Sequence, residues 1–323
     1  MSNNDSQQLT QQVLVRCGEL GFALAGVAEA LPTQYADQYA KWIEEGNHGE
    51  MEYLARNLPQ RFDPREMVDG AKSIICVADR YSSDATDKGN GDHGKVARYA
   101  WGDDYHVVIK KRLHKLADEL TSQFPHETFK VCVDTAPVLE REHAQRAGLG
   151  AVGKHTLLIE QGVGSYLLLG EIITTLKLQP TPTEESSDPC GTCTRCIDAC
   201  PTDAISPWSV DATKCISYLT IEHRSEIDKK FHDKIGDWIF GCDICQEVCP
   251  HNQPSQRTSE SQTHDAYKPR NTSFDLLSII NWSEQDRRDA FIKSPMKRAK
   301  LEMMKRNAQI ALNNVRAQSG GGL

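Results

Sequence analysis

Long apolar runs are missing from this sequence, and their absence excludes a membrane-spanning helix, which needs about 20 consecutive apolar residues. The first residues, MSNNDSQQLTQQ, are polar. They lack the basic, apolar and small-residue pattern of a signal peptide. We therefore expect a cytoplasmic protein that does not associate with membranes.

Positive charge is also in short supply. The chain has 37 Lys and Arg against 45 Asp and Glu, a formal net charge of -8, so it does not bind nucleic acid over its whole surface. A local basic patch is still compatible with such binding. Two groups of cations stand out, Arg287, Arg288, Lys293, Lys297, Arg298, Lys300, Lys305 and Arg306 in one, and Arg224, Lys229, Lys230 and Lys234 beside His223 in the other. The first predicts either phosphate contacts or a solvated helix face, and the second favours a solvated face.

The usual nucleotide-binding motifs are absent too. The chain contains neither G-x-x-x-x-G-K-[ST] nor a G-x-G-x-x-G that follows a strand. Residues 148–153 (GLGAVG) have the second spacing, but they follow a predicted helix. A simple loop and a cofactor-binding loop remain equally compatible with this segment.

Cysteine, by contrast, is abundant and clustered. Of 11 cysteines, Cys17, Cys76 and Cys132 lie in apolar stretches and are predicted to be buried core residues. The other eight lie between positions 190 and 249. In a reducing compartment, such clustering indicates metal binding rather than disulfides.

The cysteine spacing is that of a bacterial two-cluster ferredoxin. One run reads C-x-x-C-x-x-C-x-x-x-C-P, and the other has one separate cysteine followed by C-x-x-C-x-x-x-C-P. Because the last cysteine of each run ligates the other cluster, we assign Cys190, Cys193, Cys196 and Cys249 to cluster one, and Cys200, Cys215, Cys242 and Cys245 to cluster two. Two four-thiolate zinc sites are the alternative, although the Cys-Pro endings favour [4Fe-4S] clusters.

The order of predicted elements indicates an α+β fold with three parts. Strands alternate with helices in an N-terminal α/β domain, residues 1–180, and a polar linker precedes a ferredoxin-like domain, residues 181–255. A short helical segment, residues 256–323, completes the chain. A simple electron carrier does not need so long a first domain, so we expect the clusters to serve a reaction centre there.

Two polar segments are candidates for that centre. Asp134 ends a predicted strand just before Pro137, which is expected to open a helix. If Asp134 is partly buried, its pKa rises and it could be a general acid; alternatively, Asp134 or Thr135 only caps the helix. A second polar loop contains His106.

Several segments together resemble the epoxyqueuosine reductase family. They are RYAWGDDYH, VDTAPVLERE, RAGLGAVGKHTLLI, GSYLLLGEIIT, CGTCTRCIDACPT, KCISYLTIEHR and GCDICQEVCPHN, spread over residues 50–255. The core of that family is similar to corrinoid-dependent reductive dehalogenases. The resemblance implies that the epoxide of epoxyqueuosine, at the wobble position of tRNA, is reduced to the alkene of queuosine.

The resemblance also implies cofactors, partners and residue roles. Electrons would pass from the two [4Fe-4S] clusters to a base-off cobalamin held between the first two domains, with Asp134 as proton donor. The implied cofactor contacts are Arg61, Ala97, Asp134, His155, Leu158, Leu169, Ser217, Cys242 and Asp243. Asp104, Tyr105, His106 and Arg141 would line the substrate pocket. The expected partners are tRNA and an external low-potential reductant, and the expected state is a monomer.

Two other functions compete with this interpretation. A corrinoid reductive dehalogenase of a small organohalide would share the core, but such enzymes are typically exported behind a twin-arginine leader, which we do not find here. A ferredoxin-type electron carrier would leave the Asp134 segment unexplained. The C-terminal segment resembles the start of the helical repeats of longer family members, which puts tRNA affinity in question if those repeats are missing.

Overall fold

The computed structural model describes residues 3–81, 91–183, 188–256 and 263–320. Within these ranges no helix is long and apolar enough to cross a membrane.

The described residues of the N-terminal part form five helices and seven strands, joined by short 3-10 turns. They are α1 (Asn3–Glu19), β1 (Leu24–Glu29), α2 (Ala36–Glu44), α3 (Leu58–Phe62), β2 (Ser73–Arg80), β3 (His93–Val96), α4 (Tyr105–Gln123), β4 (Phe129–Cys132), α5 (Glu140–Arg146), β5 (Ala151–Val152), β6 (Leu158–Ile159) and β7 (Leu167–Thr174).

A four-stranded sheet of order β1-β2-β7-β4 forms the centre of this part. Strand β2 is buried along its whole length, as expected for a β-branched and apolar strand covered on both faces. One apolar cluster, which includes Ile75 and Ile172, lies between the sheet and α1 and α4. A second cluster, which includes Ile74 and Ile173, lies on the other face with α5. The predicted α+β fold is confirmed, and all neighbouring strands of this sheet pair antiparallel.

The rest of the chain contains short elements followed by one long helix. They are α6 (Arg195–Asp198), β8 (Ile205–Ser206), β9 (Ser209–Val210), α7 (Ile216–Ile221), α8 (His232–Ile235), β10 (Trp238–Phe240), α9 (Ile244–Glu247), β11 (Ser273–Asp275), α10 (Leu276–Asn281), α11 (Glu284–Ala290) and α12 (Leu301–Gly320).

Strand β3 joins the three parts of the chain. It lies between β10 of the cysteine-rich part and β11 of the C-terminal part, in a sheet of order β10-β3-β11. Behind this sheet, an apolar cluster combines Val96, Phe240 and Leu276 with residues of α12. The limits of 1–180, 181–255 and 256–323 remain predictions, but the packing across them is extensive.

Helix α12 fixes the C-terminal part to the cysteine-rich part. Its buried Asn307 donates hydrogen bonds to the carbonyls of Thr220 and Ile239, at 2.8 and 2.9 Å. Arg306 donates to the carbonyls of Leu219 and His223, each at 2.8 Å. Arg306, one of the eight cations of the predicted basic patch, therefore stabilises the packing of α12 against the cysteine-rich part.

Candidate active site and cluster centres

The thiols assigned to cluster one lie together. Burial raises the pKa of Cys249 to about 11, and the neighbouring thiols of Cys190, Cys196 and Cys193 add to the rise. Burial and the thiols of Cys190 and Cys193 also raise the pKa of Cys196. His251 Nε2 lies 2.9 Å from the carbonyl oxygen of Pro189, so the fold places the segment of Cys249 beside the start of the distant first run.

The thiols assigned to cluster two form a second group. Burial raises the pKa of Cys242, and the thiols of Cys215 and Cys200 raise it further. The pKa of Cys245 is raised well above its ordinary value by burial and then by Cys242 and Cys215. Helix α6, which carries Cys196, packs against α9, which carries Cys245. Two adjacent groups of four thiols are what the crossed ligand pattern of a two-cluster ferredoxin requires.

Beside the first group lies Lys154, which is only 8% exposed. Its Nζ donates hydrogen bonds to the carbonyls of Gly191 and Cys193, at 2.7 and 3.0 Å. Its backbone N–H points to Cys190 Sγ at 3.3 Å. Sequence reasoning overlooked this cation, although it belongs to the GKHT motif.

The second group faces the N-terminal part of the chain. Asp243, which is 2% exposed, accepts a 2.7 Å hydrogen bond from the backbone N–H of Arg98. Burial raises the pKa of Asp243 to about 7. Gly241 has a φ of 72° and packs so close to Ala97 that an added Cβ would lie 2.5 Å from the Ala97 methyl group. The loop that carries Ala97 therefore touches the segment that carries Cys242 and Cys245, which are assigned to cluster two.

Asp134 belongs to a hydrogen-bonded row of three side chains. His106 Nε2 lies 2.8 Å from Asp134 Oδ2, and His106 Nδ1 lies 2.7 Å from Asp104 Oδ1. Lys297 of the C-terminal part is 2.6 Å from the other oxygen of Asp104. The Tyr105 ring stacks on His106, with ring centroids 4.0 Å apart. The fold thus brings the predicted catalytic residue together with three predicted pocket residues.

The charges of this row differ from what burial alone would give. Burial would raise the pKa of Asp134, but hydrogen bonds from His106 and Tyr105 and the charge of His106 lower it overall. Burial would lower the pKa of His106, but its bonds to Asp104 and Asp134 raise it to about 9. Asp104 has its pKa lowered to about 2, because the bonds from His106 and Lys297 outweigh burial. The raised pKa that was conditional on burial is not found for Asp134, whose side chain is 46% exposed. Its pKa is lowered and that of His106 is raised, so His106 carries the proton at neutral pH.

A second carboxyl group, Glu140, approaches Asp134 at the start of α5. The backbone N–H of Asp134 donates a 3.3 Å hydrogen bond to Glu140 Oε2. Burial and then the charge of Asp134 raise the pKa of Glu140 to about 7. Nothing in the sequence distinguishes this glutamate from other charged residues in helices.

The helix-capping alternative for Asp134 can now be decided. Helix α5 begins at Glu140 rather than at Pro137, and its N-cap residue, Leu139, makes no side-chain capping bond. Asp134 itself has a φ of 54°, a backbone conformation that is uncommon for a residue other than glycine. Its side chain bonds to His106 instead of capping a helix.

The remaining predicted cofactor contacts are mostly buried. Arg61 and His155 are 7% and 3% exposed, and among the described residues neither Arg61 Nε nor His155 Nε2 has a hydrogen-bond partner. Burial, with the charges of Arg141 and His251, lowers the pKa of His155 to about 4. Leu158 and Leu169 belong to the apolar cluster on the α5 face of the main sheet, and Ser217 is half-buried in α7, two residues after Cys215.

Residues 148–153 form a turn and a strand in a small hairpin. Strand β5 pairs with β6, and a Cβ at Gly150 would lie 2.4 Å from the carbonyl oxygen of Ile159. The glycines of this motif allow close backbone packing, which favours the simple-loop interpretation. Cys17, Cys76 and Cys132 are buried, as predicted.

Two family models match the chain in the regions described above. "Epoxyqueuosine reductase QueG, DUF1730" matches residues 61–135, and "4Fe-4S double cluster binding domain" matches residues 189–252. The second match favours iron–sulfur clusters over zinc. The cysteine-rich part therefore defines the chain as a double [4Fe-4S] cluster protein.

Relatives identify the family. Epoxyqueuosine reductase of Leadbetterella byssophila is 41% identical over 90% of this chain and 93% of the relative. The enzyme of that name from Synechocystis sp. is 41% identical over 90% of this chain and 99% of the relative. The chain belongs to the epoxyqueuosine reductase family, and it is an oxidoreductase.

A solved structure agrees with this assignment. An epoxyqueuosine reductase crystallised with a "tRNA-TYR epoxyqueuosine-modified tRNA stem loop" aligns over 97% of this chain and 83% of that chain, with 29% identity and a TM-score of 0.87. The fold described above is therefore the fold of this family.

Proposed function

We propose that this protein reduces the epoxide of epoxyqueuosine in tRNA to the alkene of queuosine, the last step of queuosine biosynthesis. The overall change consumes two electrons and two protons and releases water. The family membership supports the reaction, and the row formed by Asp104, His106 and Asp134 is the observation that carries the proton chemistry.

The protein would hold cobalamin between its N-terminal and cysteine-rich parts, through Arg61, Ala97, Asp134, His155, Leu158, Leu169, Ser217, Cys242 and Asp243. Two observations fit this cofactor. Arg61 Nε and His155 Nε2 are buried without a partner among the described residues; the guanidinium can donate, and the imidazole can donate or accept, a hydrogen bond with a bound cofactor. When bound, cobalamin supplies a strongly reducing cobalt centre.

Asp134 would deliver the proton to the epoxide oxygen as the C–O bond breaks. Since Asp134 is ionised at neutral pH and His106 carries the proton, we infer that His106 reloads Asp134 across their 2.8 Å hydrogen bond. Asp104 holds the imidazole in place through its other nitrogen, and Lys297 fixes Asp104. Proton transfer by positioned side chains of this kind contributes about 10²–10⁴-fold to a rate.

Half-buried Tyr99 lies between this row and the cluster side of the cleft. Burial raises the pKa of Tyr99, and the charges of both Asp134 and Asp243 raise it further. Its ring lies edge-on to Tyr105, with centroids 6.1 Å apart. The proton-donating row and the segment of cluster two thus face the same tyrosine, as a reaction that combines electrons and protons requires.

The tRNA would approach from the side of Lys297, where part of the predicted basic patch is exposed. Lys293, Lys297 and Lys300 are exposed, whereas Arg287 bonds the carbonyl of Ala299 at 3.1 Å and serves the fold. Exposed lysines next to the catalytic row suit contact with tRNA phosphates. A tRNA substrate also favours a cytoplasmic location; a monomer and an external low-potential reductant are part of the proposal.

The test uses protein reconstituted anaerobically with iron, sulfide and cobalamin, and supplied with titanium(III) citrate and epoxyqueuosine-containing tRNA. Queuosine is quantified by mass spectrometry of the digested tRNA. The proposal predicts queuosine with the unaltered protein and a large loss with Asp134→Ala. Failure to form queuosine despite bound cobalamin and two intact clusters would refute the proposed substrate.

A further inference from the structure

The loop that carries the cluster-one thiols is open to solvent. Between the cysteines of this loop, Gly191, Thr192, Thr194 and Arg195 are all exposed. A Cβ placed on Gly191 would have no atom of the described chain within 4 Å, apart from its sequence neighbours. Another molecule can therefore approach cluster one from the side of this loop.

An unusual tryptophan lies beside this loop. Trp208, in the turn between β8 and β9, is 50% exposed and has a φ of 59°. A bulky residue in left-handed backbone costs free energy, and such strain persists mostly where it serves a function. Burial of the indole ring does not offset this free-energy cost, because half of Trp208 is exposed to solvent.

Lys154 connects Trp208 to the cluster-one loop. The backbone N–H of Trp208 donates a 3.1 Å bond to the carbonyl of Lys154, and Lys154 Nζ lies 5.6 Å from the centroid of the indole ring. The same ammonium group bonds the carbonyls of Gly191 and Cys193. Trp208 and the cluster-one loop thus form one connected surface.

The segment that carries Cys242 and Cys245 faces the proposed catalytic cleft instead. Cys242 and Asp243 lie next to Gly241, which packs against Ala97, and Arg98 binds Asp243. Cluster two is therefore on the cofactor side and cluster one is on the solvent side. Electrons that start outside the protein reach cluster one first.

We propose that Trp208 and the loop of residues 191–195 form the docking surface for a small one-electron carrier protein that reduces cluster one. This inference rests on the proposed function, which requires two electrons per turnover. Each carrier gives up one electron and is oxidised by one electron, so two carriers serve one reaction. A protein partner is favoured because tryptophan is the residue type most enriched at the energetic centres of protein interfaces.

The test compares three electron donors, two carrier proteins and one small reductant, under anaerobic conditions. Bleaching of the cluster absorbance is followed by stopped-flow with reduced flavodoxin, with reduced ferredoxin and with titanium(III) citrate, which needs no docking surface. Trp208→Ala is expected to lower the second-order rate constant by about tenfold with at least one carrier protein, the size expected for loss of an interface anchor. Trp208→Phe should retain most of the rate, and titanium(III) citrate should reduce both variants normally.

Two further measurements make the result decisive. Tyr35→Ala removes another half-exposed aromatic ring, on the N-terminal part, and should leave every rate unchanged. Isothermal titration with the oxidised carrier should show weaker binding for Trp208→Ala. Unchanged rates with both carriers, or equal slowing with titanium(III) citrate, would overturn the proposal. Queuosine formation driven by titanium(III) citrate tests the proposed function separately.

Discussion

The two predicted groups of cluster ligands occupy different surroundings, although the sequence presents them as a repeated motif. Three cluster-one cysteines come from one exposed loop, next to the cation of Lys154. The cluster-two cysteines come from three separate segments and lie against the buried carboxyl group of Asp243 and the loop of Ala97. A duplicated ligand pattern can thus place one predicted cluster near solvent and the other near the proposed catalytic residues, within one short stretch of chain.

The largest expected effect comes from replacing a predicted cluster ligand, and the loss of thermal stability should differ between the two groups. We expect Cys215→Ser and Cys193→Ser each to lose about half of the bound iron and all queuosine formation. Cys215→Ser should also lower the melting temperature more, because Cys215 precedes α7, whose Ile216 and Leu219 are core residues. Iron analysis and thermal unfolding by circular dichroism measure both effects. Equal losses of stability would remove the proposed difference between the two groups.

The next prediction concerns the catalytic face. Asp134→Asn should lower queuosine formation by about 10²–10⁴-fold, because the amide cannot relay a proton. Cluster absorbance and iron content should not change. Asp103→Asn is the matched control, since Asp103 lies on the neighbouring loop and pairs with Arg270 at the surface. A similar loss in both variants would show that Asp134 has no special role.

A third prediction uses pH to test His106. Its pKa is raised from 6.5 to about 9 by its two carboxylate partners. The imidazolium is therefore fully present below its ordinary pKa and is lost as the pH rises through about 9. We expect the rate of queuosine formation to fall on the alkaline side near that pH, and His106→Gln to have a low rate without this limb. An alkaline limb that persists in His106→Gln would assign it to another group.

A smaller effect would sharpen the contrast between the two clusters. Lys154 places a buried positive charge beside cluster one, and hydrogen bonds and charge near a cluster set its reduction potential. Lys154→Gln should shift the midpoint potential of cluster one to a more negative value and leave cluster two nearly unchanged. Potentiometric titration followed by electron paramagnetic resonance distinguishes the two. Lys214→Gln, next to Cys215 but exposed and paired with Asp211, should have little effect.

The smallest expected effect concerns tRNA binding. Lys300→Ala should weaken the binding of tRNA only a few-fold, and should reduce the salt dependence of binding by a slope of about 1, as expected for one phosphate contact. Lys41→Ala, an exposed lysine of α2, is the control. Fluorescence anisotropy at several salt concentrations provides the measurement. An unchanged slope for Lys300→Ala would exclude this residue from the tRNA surface.

The sequence was sufficient for features that depend on short-range spacing. The intervals between the cysteines predict the two ligand sets, and the strand end at Asp134 predicts a polar residue at the edge of the main sheet. The mixed fold class followed from alternating apolar segments. Helix α5 starts at Glu140, three residues later than predicted from Pro137.

Features that depend on distant segments could not be predicted in this way. The pKa of Asp134 is lowered by His106, which lies 28 residues earlier in the chain. Lys297 reaches Asp104 from the C-terminal part, and Arg98 meets Asp243 across 145 residues. Two of the eight cations of the predicted basic patch also have a role that the sequence does not show, because Arg287 and Arg306 bind backbone carbonyls of the fold.

Strand β3 has a consequence for how this protein can be divided. In the chain β3 lies between β2 and α4 of the N-terminal part. In the sheet, however, its neighbours are β10 and β11, which belong to the other two parts. A fragment that ended at residue 180 would keep β3 and lose both of its pairing partners. The cysteine-rich part therefore cannot be exchanged as an independent unit. A ferredoxin put in its place would have to supply an edge strand equivalent to β10 as well as two clusters.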